Sequence, residues 1–175
     1  MTRIEVTKKI DFSIKLMSET LSQFSSEPFF TRKNDKWSPA EQAQHLVLSI
    51  KPLQLAYRLP GFALRLLFGK MNRPTRTYEE LLDKYHAKLE TGATASAAYV
   101  PKQLKTGTTS EAVITSLQIA HQQLLKKVEK WKESDLDKYV LPHPLLGKIS
   151  LREMLYFTDF HILHHNTLTK TIYLS

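Results

Sequence analysis

"SLREMLYFTDFHILHHNTLTKTIYL", residues 150–174, decides the fold. Its Met154, Thr158, His161, His165, Leu168 and Ile172 follow one another in steps of four, three, four, three and four, the spacing that keeps one seam of a helix against its neighbours. Ser150 and Glu153 have capping-box spacing at its head, so a helix is predicted from about Ser150 to Leu174. A seam of this length needs partners, and the rest of the chain has to supply them.

Three further segments do so. From Thr2 to Phe24, the residues Ile4, Ile10, Ile14, Leu16, Met17, Leu21 and Phe24 form an apolar stripe. "WSPAE" (37–41) is a sharp helix start: Ser38 can cap, Pro39 can fill the first helical position, and Glu41 can complete a capping box. This second helix is predicted to run to about Leu59, with a kink at Pro52, which lacks an N–H. "TTSE" (108–111) opens a third with Thr108 and Glu111 as its box. It continues to about Lys132, with Val113, Leu117, Ala120, Leu124 and Val128 on one face. No segment sustains two-residue alternation, and "SSEPFFTRKNDK" and "ESDLDKYVLPHPLLGKI" read as loops. The predicted class is all-α, a four-helix bundle with a long crossover, residues 60–107, between its second and third helices. That crossover carries one short helical run, "YEELLDKYHAKLE" (78–90). At 175 residues the chain is predicted as one domain, 1–175, able to bury a core without staples.

Composition narrows the chemistry. With no cysteine, disulfides, thiolate ligands and a cysteine nucleophile are excluded, so any metal has to be held by nitrogen and oxygen. The opening "MTRIEVTKKI" lacks the apolar core of a signal peptide, and a cytoplasmic protein is expected. "LQLAYRLPGFALRLLFG" (53–69) is interrupted by Arg58, Pro60 and Arg65, so no membrane span is predicted. The net charge is +8. No acidic residue falls between Gln42 and Tyr78, where Lys51, Arg58, Arg65, Lys70, Arg73 and Arg76 all lie. Without a recognisable nucleic-acid module this stretch reads as a solvated basic face, and no nucleic-acid partner is expected. "LPGFALRLLFGKMNR" (59–73) reads as a crossover helix covering the bundle. Membrane-surface contact through Phe62, Leu66 and Leu67 beside Arg65 and Lys70 is its alternative.

Seven histidines remain to be placed. His161 and His165 share one helical face at a separation of about 6 Å, close enough for two imidazoles to converge on one ion. His164 points roughly 80° away and reads as a flanking group. A third ligand has to come from another helix, and His45 lies on a stripe with Glu41, Leu48, Pro52 and Leu55. His86 and His121 have charged or glutamine-rich neighbours and read as surface residues; His143, between prolines, reads as a loop residue. A lone buried histidine is more often a hydrogen-bonded core residue than a ligand. Two side by side, however, need partners for four ring nitrogens, which a shared cation relieves. HxxxH without an intervening glutamate is a weak motif, so spacing leaves core histidines and a metal site both open.

The combination of "WSPAEQAQHLV" (37–47) with "HPLLGKISLREMLYFTDFHILHHNTL" (143–168), a long connection between them, resembles the DinB-like superfamily of bacterial four-helix-bundle proteins over most of the chain. The matching positions are Trp37, Ser38, Glu41 and His45, then His143, Pro144 and Gly147, then His161, His164 and His165. The resemblance implies an up-down-down-up bundle and a divalent metal held by His45, His161 and His165. Zinc, nickel, iron and manganese all suit three imidazoles. It also implies a metal-dependent transferase or isomerase using a small thiol such as bacillithiol, mycothiol or glutathione, and relatives that form dimers. Two departures stand out: "NTL" follows the double histidine where a glutamine-containing stretch is common, and residues 60–76 map to no shared motif.

Three imidazoles leave an open coordination sphere, as in catalytic zinc sites. Two functions are therefore carried forward. The first is a metal-dependent transferase or hydrolase acting on a small, anionic or thiol-containing molecule, with residues 51–76 lining its entrance. The second is a non-catalytic metal-binding bundle, a stress-related or interaction module. Glu41, Tyr57, Tyr156 and His164 are candidate auxiliaries without an assigned role, and a homodimer through the apolar residues of the first helix is expected.

Overall fold

The computed structural model describes residues 1–92 and 94–174. In chain order the helices are α1 (Arg3–Leu21), α2 (Ser26–Phe30), α3 (Pro39–Ala56), α4 (Gly61–Phe68), α5 (Tyr78–Glu90), α6 (Ser110–Val128) and α7 (Leu151–Tyr173), with 3₁₀ turns at Ala97–Tyr99 and Glu133–Asp135. The long helices α1, α3, α6 and α7 make the bundle.

Side-chain bonds fix their directions. The Met1 carbonyl accepts from Arg152 and Tyr156, while Ser13 further along α1 donates to Asp159 further along α7, so these two helices run parallel. Near its start α3 meets α7 through Gln42 and His165, and past its end the Tyr57 hydroxyl donates to the Leu151 carbonyl, which makes this pair antiparallel. Gln54 donates to the Ala120 carbonyl and the Trp131 indole to the Tyr57 carbonyl, so α6 runs with α3. The order is up-down-down-up.

Complete capping boxes start α1, α3, α5 and α7, at Thr2–Glu5, Ser38–Glu41, Thr77–Glu80 and Ser150–Glu153. Each satisfies amide donors that the first helical turn leaves unpaired. At α6 the expected Thr108–Glu111 box is not formed. Thr109 caps instead, accepting from the Ala112 amide at 3.2 Å, so the start shifts by one residue. Pro52 sits inside α3, which continues to Ala56. Met17, Leu46, Leu117, Leu124, Leu155 and Ile162 pack into one hydrophobic cluster along the bundle axis.

Two segments differ from expectation. The fold is not strictly all-α, because the supposed loop before α7 contains a hairpin of β1 (Val140–His143) and β2 (Gly147–Ser150), with His143 opposite Gly147 and Val140 opposite Ser150. Gly147 at φ +73° closes its three-residue loop, and the His143 ring nitrogen Nδ1 accepts from the Leu145 and Leu146 amides at 3.2 Å each. Strands of four residues are too short to show alternation, yet Val140, Leu141 and Ile149 are buried. Residues 61–68 form the helix α4, but only its Leu64 enters the core; Phe62, Leu66 and Leu67 stay exposed.

Candidate metal centre

His45 stands in the second turn of α3, and His161 and His165 stand one turn apart on the facing side of α7. All three are buried, and their ligand atoms lie within 4.8 Å of one another. The Nε2 atoms of His45 and His165 each lie 3.0 Å from the Nε2 of His161. The three histidines singled out on two helices, as the resemblance implied, are thus brought together at one point.

The opposite ring atoms settle the protonation. His45 Nδ1 lies 2.7 Å from the Tyr99 carbonyl, which can only accept, so Nδ1 carries the hydrogen and Nε2 a lone pair. His165 Nδ1 donates in the same way to Gln42 Oε1. Two lone pairs therefore aim at His161 Nε2. A hydrogen there can serve one neighbour and leaves the other unpaired, whereas one cation at the meeting point serves all three. The carbonyl and the amide oxygen orient the two rings from behind, as such acceptors do for imidazoles that bind a metal. Burial, then the neighbouring imidazoles, hold His161 and His165 well below the ordinary histidine pKa. Burial outweighs the Tyr99 bond and lowers His45 too. All three are neutral near pH 7, the state a metal needs.

The cluster borders a cavity of about 700 Å³. Trp37 lies tilted against His45 and stacked on His165 with ring centroids 4.9 and 6.3 Å away, and Phe157 lies against His161 at 4.9 Å. Pro52, Leu53, Phe68, Met154 and Leu168 continue the apolar wall. Asp35 and Lys36 are the formally charged residues in the lining. None of Lys51, Arg58, Arg65, Lys70, Arg73 or Arg76 borders it, so the expected basic entrance is not formed. Arg73 and Arg76 instead bind the buried Glu153.

Of the candidate auxiliaries, only His164 reaches the cavity wall. Glu41 closes the α3 cap and pairs with Arg32 at 2.6 Å. Tyr57 is buried against the Leu151 carbonyl, and Tyr156 bonds the Met1 carbonyl, lining a separate groove. His86 is exposed as expected, but His121 is buried, a correction explained by its place on the inner face of α6 beside Leu117 and Leu124. His143 turns out to be a wall residue. With two amides donating to its Nδ1, its ring is neutral with the hydrogen on Nε2, and burial pushes its pKa down to about 4. Sequence reasoning also missed Gln42 and Tyr99. Gln42 is signalled by its place one turn before His45 on α3, while a backbone carbonyl leaves no such signal.

Solved structures share this architecture. TT2238, described as a four-helix bundle protein, aligns over 97% of this chain and 99% of its own with a TM-score of 0.63 at 19% identity. The colibactin self-resistance protein ClbS, in complex with a dsDNA, aligns over 99% of this chain and 96% of its own with a TM-score of 0.58 at 16% identity. At such identities the likeness is one of fold. No curated protein matches the chain in sequence. The sequence profile of the DinB superfamily matches residues 9–168, across all four bundle helices and all three clustered histidines, and the chain belongs to that superfamily.

Proposed function

We propose that this protein is a divalent-metal-dependent enzyme, a small-thiol S-transferase or a hydrolase, whose metal is held by His45, His161 and His165. The observation that carries the reading is the convergence of three Nε2 atoms whose rings are oriented from behind by Tyr99 and Gln42. A divalent ion bound there would supply Lewis acidity and hold a coordinated water or thiol in its deprotonated form. The chain's own residues do the rest. Trp37, Leu53, Phe68 and Phe157 exclude water and favour an apolar substrate body. His143 offers a neutral N–H donor at the wall, and His164 lines the same space. Having no cysteine, the protein would draw any thiol from its substrate.

ClbS is seen with a dsDNA, and a net charge of +8 suits a polyanion. A small molecule is the better-supported partner here, because the cavity beside the histidines is walled by apolar side chains. Among the described residues no helix is long and apolar enough to cross a membrane. The reading includes a cytoplasmic setting and a homodimer through α1, where Ile4 and Phe12 are exposed.

The test is metal analysis of untagged protein purified without chelator or nickel resin, followed by turnover assays on electrophiles with and without small thiols. About one equivalent of a transition metal, absent from His161→Ala, together with turnover that His45→Ala abolishes, is the expected result. A bound metal with no turnover, whose removal costs only thermal stability, would instead assign a bundle in which the ion ties α3 to α7.

A further inference from the structure

We propose that α4 is a docking element for an anionic lipid surface. A connecting helix ordinarily buries its large apolar side chains, but Phe62, Leu66 and Leu67 are 75%, 84% and 61% exposed. Leu55, at the end of α3, is 62% exposed as well. This display is held in place at both ends. Leu64 is fully buried, and a Cβ on Gly61 would lie 2.3 Å from the Tyr139 ring, so the helix start is pressed against that ring. At the other end Lys148 donates to the Phe68 carbonyl at 2.6 Å and the Gly69 amide to the Arg65 carbonyl at 3.0 Å. The apolar side chains project from an anchored element.

Charge selects the occupant. Lys51, Arg58, Arg65 and Lys70 are exposed, and none has an ion-pair partner among the described residues. No acidic residue lies between Gln42 and Tyr78 to offset them. A second copy on this face would set these cations against themselves. A nucleic acid would satisfy the cations but leave Phe62, Leu66 and Leu67 in water. An anionic bilayer answers both, since apolar side chains enter the acyl boundary while lysine and arginine meet the headgroups. Eight residues of helix span about 12 Å, far short of a bilayer core, so α4 would lie on the surface. Phe68, its last residue, also lines the cavity, so docking would set that cavity beside the lipid. None of the histidine ligands is part of this inference.

The experiment is co-sedimentation of the full chain with phosphatidylcholine vesicles, with and without phosphatidylglycerol, at low ionic strength. Phe62→Ser/Leu66→Ser and Arg65→Gln/Lys70→Gln serve as variants, with circular dichroism confirming that each stays folded. Wild type is expected to partition onto the anionic vesicles. The serine pair should lower partitioning about tenfold or more, and the glutamine pair by about 25-fold, roughly fivefold per cation, with a shallower salt dependence. Wild type that stays in the supernatant with anionic vesicles overturns the proposal, as does binding that the serine pair leaves unchanged. Binding to a duplex oligonucleotide but not to vesicles would make this a nucleic-acid face. A concentration-dependent dimer lost in the serine pair, again without vesicle binding, would assign the patch to a second copy.

Discussion

Two buried polar clusters sit about two turns apart on α7, and they are opposite in kind. Around Glu153 every acceptor meets a donor: Arg73 binds both carboxylate oxygens at 2.6 and 2.8 Å, the Arg76 amide reaches one at 2.9 Å, and the Ser150 amide reaches the other at 2.8 Å. Around His161, two ring lone pairs converge on a single Nε2. The first cluster is complete as it stands, so its role is to hold the crossover against the start of α7. The second cannot pair its three ring nitrogens with a single hydrogen, and it is also the one that borders a cavity.

Breaking the closed cluster should have the larger effect. Glu153→Gln leaves two arginines without their buried counter-charge and is expected to cost about 3–5 kcal/mol, read by denaturant unfolding, while protein that remains folded keeps its metal. Burial alone would raise the Glu153 pKa, but the Arg73 side chain and the Arg76 and Ser150 amides outweigh it and hold the carboxyl below its ordinary value. A lowered carboxyl pKa contributes stability that is present above the unfolded pKa of 4.5 and lost as pH falls below it. Glu153→Gln should therefore flatten the acid limb of the stability profile.

The open cluster should respond to the ion. With free metal a thousandfold above its dissociation constant, binding adds about 4 kcal/mol. Chelation should thus lower the wild-type melting temperature and leave His161→Ala unmoved. A wild-type melting curve indifferent to both chelator and added metal would put the two clusters in one structural class. A smaller step separates ligand from support. Gln42→Leu removes the acceptor that orients His165 and should weaken metal binding about 10- to 100-fold, measured by competition with a chelating dye, with little change in metal-free stability relative to Glu153→Gln.

Most of this was legible where the signal is local. The boxes at Ser38 and Ser150 and the run Tyr78–Glu90 were readable because a cap and a helical period lie within a few residues. The histidine trio was readable because seam spacing places His161 and His165 on one face, with His45 on the stripe of a well-capped helix. The hairpin was harder, because strands of four residues are too short for a period to show; the crossover helix at α4 was readable, but its exposure was not. Whether the apolar side chains of α4 face the bundle or the solvent is decided by Tyr139 and Lys148, far away in sequence. His121 is different. Its glutamine neighbours suggested a surface position, yet its spacing of four from Leu117 and three from Leu124 puts it on the inner face. The seam test that placed His161 would have placed it too.

His121 also yields the smallest and most specific effect. Its Nδ1 donates to the Leu117 carbonyl at 3.0 Å, and its buried Nε2 has no hydrogen-bond partner among the described residues. Burial pushes its pKa from 6.5 down to about 4, in a groove also lined by Asp11, Lys15 and Glu19. A base whose pKa is lowered on folding is protonated first in the unfolded chain, so its stability contribution is full above about pH 6.5 and is lost as pH falls toward 4. Between pH 7 and 5.5 this group alone should cost about 1 kcal/mol. His121→Leu should remove that part of the slope in metal-free protein while being at least as stable at pH 7.5, since it also removes an unpaired buried acceptor. If denaturant titrations at the two pH values show the same slope in both proteins, Nε2 is already satisfied by water, and His121 belongs with the closed cluster at Glu153 rather than with the open one at His161.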